Sequence, residues 1–235
     1  MSIPRIFRYF TTSPEIIRLA VMMYVRYPLS LRNAEDLLHE RGIDITHDTV
    51  RFWWNRFGTI FAADIRRSRV QAMRGFQHRQ WHPDEVFVKI NGVKHYLWRA
   101  FDHEGEVLER FVTRHRDKKV TLKFLRKSLR KHGLVETIIS DQLASYGAAL
   151  KQLGAIDKRD VGRWLNNRAE NSHQPFRRRE RAMLRFRRMR SLQKFAAVHS
   201  SIHNHFNQER TLISRQNFKD RRTAALAAWR QVCAA

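Results

Sequence analysis

The sequence predicts an α/β domain preceded by a small all-α domain. Three observations carry that prediction. Up to about residue 58, apolar residues recur at three- and four-residue spacing, the period of a helix. From residue 84 the period changes to two, and an Asn-Gly pair at 91–92 joins two alternating runs into a hairpin. After residue 113, helical segments alternate with one short apolar run at 136–140, the pattern of a sheet with helices packed on it.

Composition narrows the partners. Lys and Arg number 46 against 22 Asp and Glu in 235 residues, a formal charge of +24. Folding does not require such an excess, and self-repulsion opposes it, so the expected partner is a polyanion. No run of 18 or more apolar residues and no signal-peptide pattern occurs, so a membrane is not expected as a partner. The single cysteine, Cys233, excludes an internal disulfide and a cysteine-based zinc site. A reducing cytoplasm, beside the nucleoid, is the expected location. Hydrophobic residues are 43% of the chain, enough to build a core.

Residues 1–13 form an arm. Pro14 opens a helix over 14–27 with Ile16, Ile17, Ala20, Val21, Tyr24 and Val25 as its stripe, and Pro28 stops it. Ser30 caps a second helix over 31–40, and Gly42 turns the chain. Thr46 caps a third helix over 47–57, closed by Gly58. That order is either a helix-turn-helix, with the last helix in the major groove, or a plain three-helix bundle. In the first case His47, Asp48, Arg51 and Asn55 face the bases, while Val50, Trp53, Trp54 and Phe57 pack inward. Residues 1–58 thus make one domain, and 59–80, rich in arginine, a basic linker.

Strands are expected over 84–90, 93–101 and 107–113. They are followed by a helix over 118–131, a strand over 136–140 and a helix over 144–153. Further helices cover about 174–190, 192–209 and 220–232. The domain spans 81–212 and a helical tail 213–235. Asp84 begins the first strand on its apolar face, and Asp141 ends the fourth. A carboxylate on a buried face calls for a partner or a metal. Between Arg163 and Arg190 ten arginines stand against two acids, Glu170 and Glu180. Glu170 is either a plain counter-charge or a third metal ligand, and lies on a helix or in the turn before Pro175. Glu85, on the opposite strand face from Asp84, reads as a solvated charge. Asp102 reads as a turn former, and His203 and His205 cannot share a helix face. Trp164 either stacks on a base or belongs to the core, and His173, close after Glu170, is a candidate for a role near the site.

Three blocks then carry a resemblance. Trp81-His82-Pro83-Asp84 through Asn91-Gly92, Ser140-Asp141-Gln142-Leu143-Ala144-Ser145-Tyr146-Gly147, and Asn166-Asn167-Arg168-Ala169-Glu170-Asn171 occur in order. Together they resemble the DDE transposases of bacterial insertion-sequence family 6. The resemblance implies an RNase H-like mixed sheet flanked by helices, with Asp84, Asp141 and Glu170 as catalytic metal ligands. The cofactor implied is Mg²⁺ or Mn²⁺, two ions, and the activity is strand cleavage and strand transfer at terminal inverted repeats. Arg168, Arg177, Arg178, Arg179 and Arg181 become a grip on the DNA backbone. The partner is double-stranded DNA, element ends and target, with a homodimer or higher in synapsis. Two departures are visible: 28 residues lie between Asp141 and Glu170, fewer than the family usually shows, and Gln142 stands where Lys is common. A catalytically inactive, transposase-derived DNA-binding protein or repressor would share every binding feature. A packaging protein acting by charge alone would not need the carboxylates.

Overall fold

A computed structural model describes residues 4–72, 80–133, 135–141, 143–161, 167–183, 186–207 and 213–234; side chains at 70–72 and 167–172 fall outside that description. The described elements, in order, are helices α1 (Pro14–Arg26), α2 (Leu31–His39) and α3 (His47–Ala72), then strands β1 (Gln80–Ile90), β2 (Val93–Asp102) and β3 (Val107–Thr113). Next come α4 (Lys118–His132), β4 (Thr137–Ile139), α5 (Ala144–Gln152) and β5 (Arg159–Asp160), and finally α6 (Asn167–Ala182), α7 (Met189–Phe206) and α8 (Arg215–Arg230). They divide between two compact units. The first is Met1–Arg74, Arg178–Leu184 and Ala197–Ala235; the second is Gly75–Arg177 and Arg185–Ala196. Among the described residues no helix is long and apolar enough to cross a membrane.

In the first unit, local chemistry sets the helix starts. The Ser13 hydroxyl accepts from Ile16 N at 3.4 Å with Pro14 at the first helical position. Ser30 and Asn33 form a capping box at the start of α2. Gly42, at φ +71°, turns the chain toward α3. Val50, Trp53, Trp54 and Phe57 are all buried, as their spacing predicts.

Helix α3 does not end at Gly58. It continues to Ala72, through most of the expected basic linker, because Phe61, Ala62 and Ile65 extend the buried stripe. Gly58 is a packing residue instead. A Cβ there would lie 2.8 Å from the Trp54 ring, one turn back on the same face, and 3.5 Å from Val198 of α7. Helix α8, five residues longer at its start than expected, also belongs to this unit. Trp229 Nε1 donates to Arg18 O at 3.2 Å, and Arg18 Nε donates to Val232 O at 2.8 Å.

The second unit holds a five-stranded sheet in the order β3-β2-β1-β4-β5. Strands β1, β2 and β3 are antiparallel, turned at Asn91-Gly92, both with positive φ as a two-residue hairpin requires. Strands β4 and β5 run parallel to β1. Helices α4 and α5 cover one face, where Trp81, Trp98, Phe124, Leu125, Ile138, Tyr146 and Leu150 form the main core. On the other face Phe176 of α6 packs against Phe186 and Phe195, ring centroids 6.4 and 6.2 Å apart. Mixed sheet, flanking helices and element order are those of the RNase H-like fold. Strand β1 starts four residues earlier than the alternation suggests and contains Pro83. Beyond Trp81 the β4 side of β1 is an edge, a sheet position that tolerates proline.

Helix α4 is tied to β3 by a buried carboxylate. The Glu109 side chain is 4% exposed and meets Lys127 Nζ at 3.4 Å and Lys131 Nζ at 3.2 Å. Burial works against its charge, but Lys131, the Arg110 backbone N–H and Lys127 outweigh it, so its pKa lies below the ordinary 4.5. A depressed carboxylate contributes stability above the unfolded-state pKa and loses it as pH falls through the folded one. Urea unfolding is therefore expected to show stability falling as pH drops below 4.5, with a shallower acid limb in Glu109→Gln. For Gly58→Ala, helix propensity favours the variant by about 1 kcal/mol, but overpacking against Trp54 costs about 1–3 kcal/mol. The expected outcome is a net loss of stability, seen as a lower urea midpoint at unchanged slope.

Candidate active site

The site begins with strand register. Gln80 pairs with Thr137 and Trp81 with Ile138 across the parallel β1–β4 ladder. Carried forward at the same offset, that register brings Asp84 level with Asp141. The ladder stops after Trp81 and β4 ends at Ile139, so Asp84, within β1, and Asp141, just past the C-terminal end of β4, stand beyond the point where the two parallel strands part. In open α/β sheets that crevice is where ligands bind. Asp84 is 14% exposed and Asp141 35% exposed at the side chain.

Backbone donors orient both groups. Asp84 Oδ1 accepts from Glu85 N at 2.7 Å, and Asp141 Oδ1 accepts from Leu143 N at 3.1 Å. The second oxygen of Asp84 lies 3.2 Å from His173 Nε2 on α6. His173 Nδ1 in turn lies 3.5 Å from Arg99 Nη1. A guanidinium only donates, so Nδ1 is the acceptor, and the network assigns the proton to Nε2, which donates to Asp84. Burial first, and Arg99 after it, hold the His173 pKa below its usual value, while Asp84 pulls the other way. Arg99 sits directly opposite Asp84 in the β1–β2 register and is fully buried, with its guanidinium 4.6 Å from the Phe101 ring centroid and 5.8 Å from that of Phe176. Burial, then Arg110, lowers its pKa to about 9 against the opposing pull of Asp84.

The other face of β1 carries a second network. Glu85 is not a solvated charge: its side chain is 3% exposed because α5 covers that face. Tyr146 Oη donates to Glu85 Oε2 at 2.8 Å, and Arg116 Nη2 pairs with Glu85 Oε1. The same Arg116 nitrogen lies 3.6 Å from Asp141 Oδ2, so one guanidinium serves both carboxylates. Burial raises the Glu85 pKa; the Tyr146 hydrogen bond and Arg116 oppose this, and Asp84 and Asp141 reinforce it. Burial and then Glu85 push the Tyr146 hydroxyl well above its ordinary value.

The turn carrying Asp141 is held by its backbone. Arg159 Nε donates to Ser140 Oγ at 3.0 Å, and Nη2 donates to Asp141 O at 2.9 Å and Leu143 O at 3.3 Å. Gly147 gives the guanidinium its room, since a Cβ there would stand 2.5 Å from Arg159 Nη1.

Helix α6 begins at Asn167, so Glu170 lies on a helix and not in a turn, three residues before His173 and about one turn from it. Its side chain is outside the described residues, as are the Arg168 side chain, Gln142, Trp164 and Asn166. Among the described residues no three of His, Cys, Asp and Glu gather as a metal site. Pro175 lies inside α6 and does not open it, because His173 and Phe176 bury on either side of it.

The arginines after Glu170 differ in their surroundings. Arg177 Nη2 donates to Phe87 O at 2.7 Å and lies 5.4 Å from that ring. Arg178 and Arg181 are exposed. Arg179 is 1% exposed and does not offer a phosphate contact. Its Nη1 donates to Leu29 O at 2.7 Å, and its guanidinium lies 4.7 Å from the Tyr24 ring. Burial lowers its pKa to about 10. On α3, Asp48, Arg51 and Asn55 are exposed and His47 half-buried. Arg51 pairs with Asp48, and His47 Nδ1 lies 2.9 Å from Glu35 Oε2. Asp102 Oδ1 accepts from Glu104 N and Glu106 N, both at 2.9 Å, as a turn former does.

Sequence reasoning missed Arg99, Arg116, Tyr146 and Arg159. Tyr146 stood in the second motif block without a role, and Arg99 left a signal as a charge between Leu97 and Phe101 on an inward-facing strand position. The Gly147–Arg159 fit makes a coupled prediction. Gly147→Ala and Arg159→Ala should each cost about 1–3 kcal/mol in urea unfolding. The double variant should cost little more than either alone, because both break the same contacts.

The chain is similar to known proteins. A family model described as a DDE domain matches residues 78–209. The transposase for insertion sequence-like element IS431mec of Staphylococcus aureus is 31% identical over 172 residues, covering 71% of this chain and 75% of its own. The transposase for insertion sequence element IS257 in transposon Tn4003, also of Staphylococcus aureus, is 30% identical over the same length. Among solved structures, the HTLV-2 integrase catalytic core domain in complex with magnesium aligns at 12% identity with a TM-score of 0.42, over 61% of this chain and 97% of that one. With the DDE model matching over half of the chain, and relatives at this identity along most of their length, the chain belongs to the DDE transposases of insertion-sequence family 6.

Proposed function

We propose that this transposase cleaves and joins DNA strands at the terminal inverted repeats of its element, with Asp84, Asp141 and Glu170 holding divalent metal. The observation that carries the reading is the parallel β1–β4 register, which, carried forward from Trp81 and Ile138 at the same offset, brings Asp84 level with Asp141. The donor set fits: carboxylate oxygens suit a hard cation such as Mg²⁺ or Mn²⁺. When bound, two such ions supply the charge that activates the attacking oxygen and stabilises the leaving one in an in-line displacement. The chain's own residues do the rest. His173 and the Glu85 backbone N–H set the Asp84 carboxylate, and Arg159 holds the turn that presents Asp141. Helix α6, tied to Asp84 through His173, carries Glu170 one turn away.

Double-stranded DNA, at element ends and target, is the proposed partner. Arg51 and Asn55 on α3 have the donors for base edges, and Arg177, Arg178 and Arg181 serve phosphates; DNA reading thus belongs to the first unit, and Asp84, Asp141 and Glu170 all belong to the second. Synapsis of two ends calls for a dimer or higher, and a cytoplasmic, nucleoid-associated location follows from the partner.

The test is a nicking and strand-joining assay on element-end DNA with Mg²⁺ or Mn²⁺. Asp84→Asn, Asp141→Asn and Glu170→Gln should each lower strand transfer on the order of a thousandfold or more, while DNA affinity stays within about twofold. Full activity in any of the three would remove that residue from the ligand set. DNA binding by the parent chain without metal-dependent nicking would identify an inactive DNA-binding descendant instead.

A further inference from the structure

A cleft in the first unit lies outside the carboxylate site and beside the exposed face of α3. Its volume is about 620 Å³, and its walls are Arg5, Arg8, Tyr9 and Phe10 from the N-terminal arm with Phe52 and Arg56 from α3. The arm is folded and anchored. Phe7 N donates to Pro4 O at 2.9 Å and Phe10 N to Phe7 O at 3.0 Å, winding a short 3₁₀ turn. Phe7, 1% exposed, stacks on Phe57 at 5.2 Å, and Phe10 lies 5.0 Å from the same ring. Two of the arm's aromatic rings therefore hold it to the core.

The third does not. Tyr9 is 90% exposed and Phe52 is 54% exposed, each leaving a large aromatic face in water. Arg5, Arg8 and Arg56 are exposed around them, and no acidic residue lines the cleft. Phe52 follows Arg51, and Arg56 follows Asn55, so each lies about 100° round the helix from a proposed base-reading residue. Arginines alone would suffice for the backbone of a stacked duplex. Exposed aromatic faces add binding only where a base has left its stack and can lie against them.

We propose that this cleft binds an unpaired nucleotide of a DNA strand, its base against Tyr9 and Phe52 and its phosphates on Arg5, Arg8 and Arg56. The assignment rests on the DNA-processing reading above and adds to it a single-strand site next to the duplex-reading helix.

The experiment measures metal-free binding of the full chain to fluorescent oligothymidylate and to a blunt hairpin duplex, at fixed salt. Tyr9→Ala and Phe52→Ala are surface changes, checked by an unaltered melting temperature. Each should weaken oligothymidylate binding by about tenfold, from the 1–3 kcal/mol of one lost base stack, and leave duplex binding within about twofold. Oligothymidylate carrying iododeoxyuridine should cross-link on irradiation to Tyr9 or Phe52. Unchanged oligothymidylate affinity, equal losses on both probes, or cross-links confined to other residues would overturn the cleft assignment while leaving the transposase reading intact. A parent chain that holds neither probe would overturn both.

Discussion

Two backbone pairings, Gln80 with Thr137 and Trp81 with Ile138, set where the candidate carboxylates of this protein stand. They put β4 parallel to β1 at a register that brings Asp141 level with Asp84, and then they stop. A longer ladder would close the crevice; a one-residue slip would turn one carboxylate to the opposite face of the sheet. Strand β4 is three residues long, too short to hold the following turn unaided. Arg159, on the next parallel strand, supplies that hold with bonds to Ser140, Asp141 and Leu143, and Gly147 keeps the helix from blocking it.

Around that register the second unit buries several charges that a stability-driven fold would avoid. An unpaired buried charge costs several kcal/mol, and each one here has partners. On one face Arg99, His173 and Asp84 form a line from the middle of β2 to α6. On the other, Tyr146 of α5 and Arg116 hold Glu85, and Arg116 reaches from there to Asp141 beyond the end of β4. Helices on both faces of the sheet are thereby tied to the carboxylates through directional bonds as well as by apolar packing. Such strained electrostatics concentrate at functional sites, and the excess of positive charge on this chain matches a polyanionic substrate.

The first unit follows apolar packing. Its helices are held by aromatic contacts such as Phe7 on Phe57 and Phe61 on Trp229, and by close approach at Gly58. Packing carries α3 into residues that composition marks as a connector, because Phe61, Ala62 and Ile65 add buried side chains there. Arg179 shows the same rule from the opposite side: a helix face decides whether an arginine meets solvent or backbone carbonyls, whatever its neighbours in sequence.

Periodicity, turn chemistry and caps are local, so the sequence by itself determined the order and type of nearly every described helix and strand, the Asn91-Gly92 hairpin, the inward face of α3 and Asp141 at the end of the fourth strand; Asp84, expected to begin the first strand, lies inside it. The three motif blocks, read in order, likewise marked the family. What only the tertiary structure decided depends on contacts between residues far apart in the chain. Glu85 is buried because α5 lies over it, 61 residues away from Tyr146. Residue 58 is a glycine inside a helix because the Trp54 ring and Val198 occupy the place of a Cβ. Arg159 and His173 act on Asp141 and Asp84 from other elements, across 18 and 89 residues of chain. No local pattern encodes such distances, because they arise only when the sheet register brings the elements together.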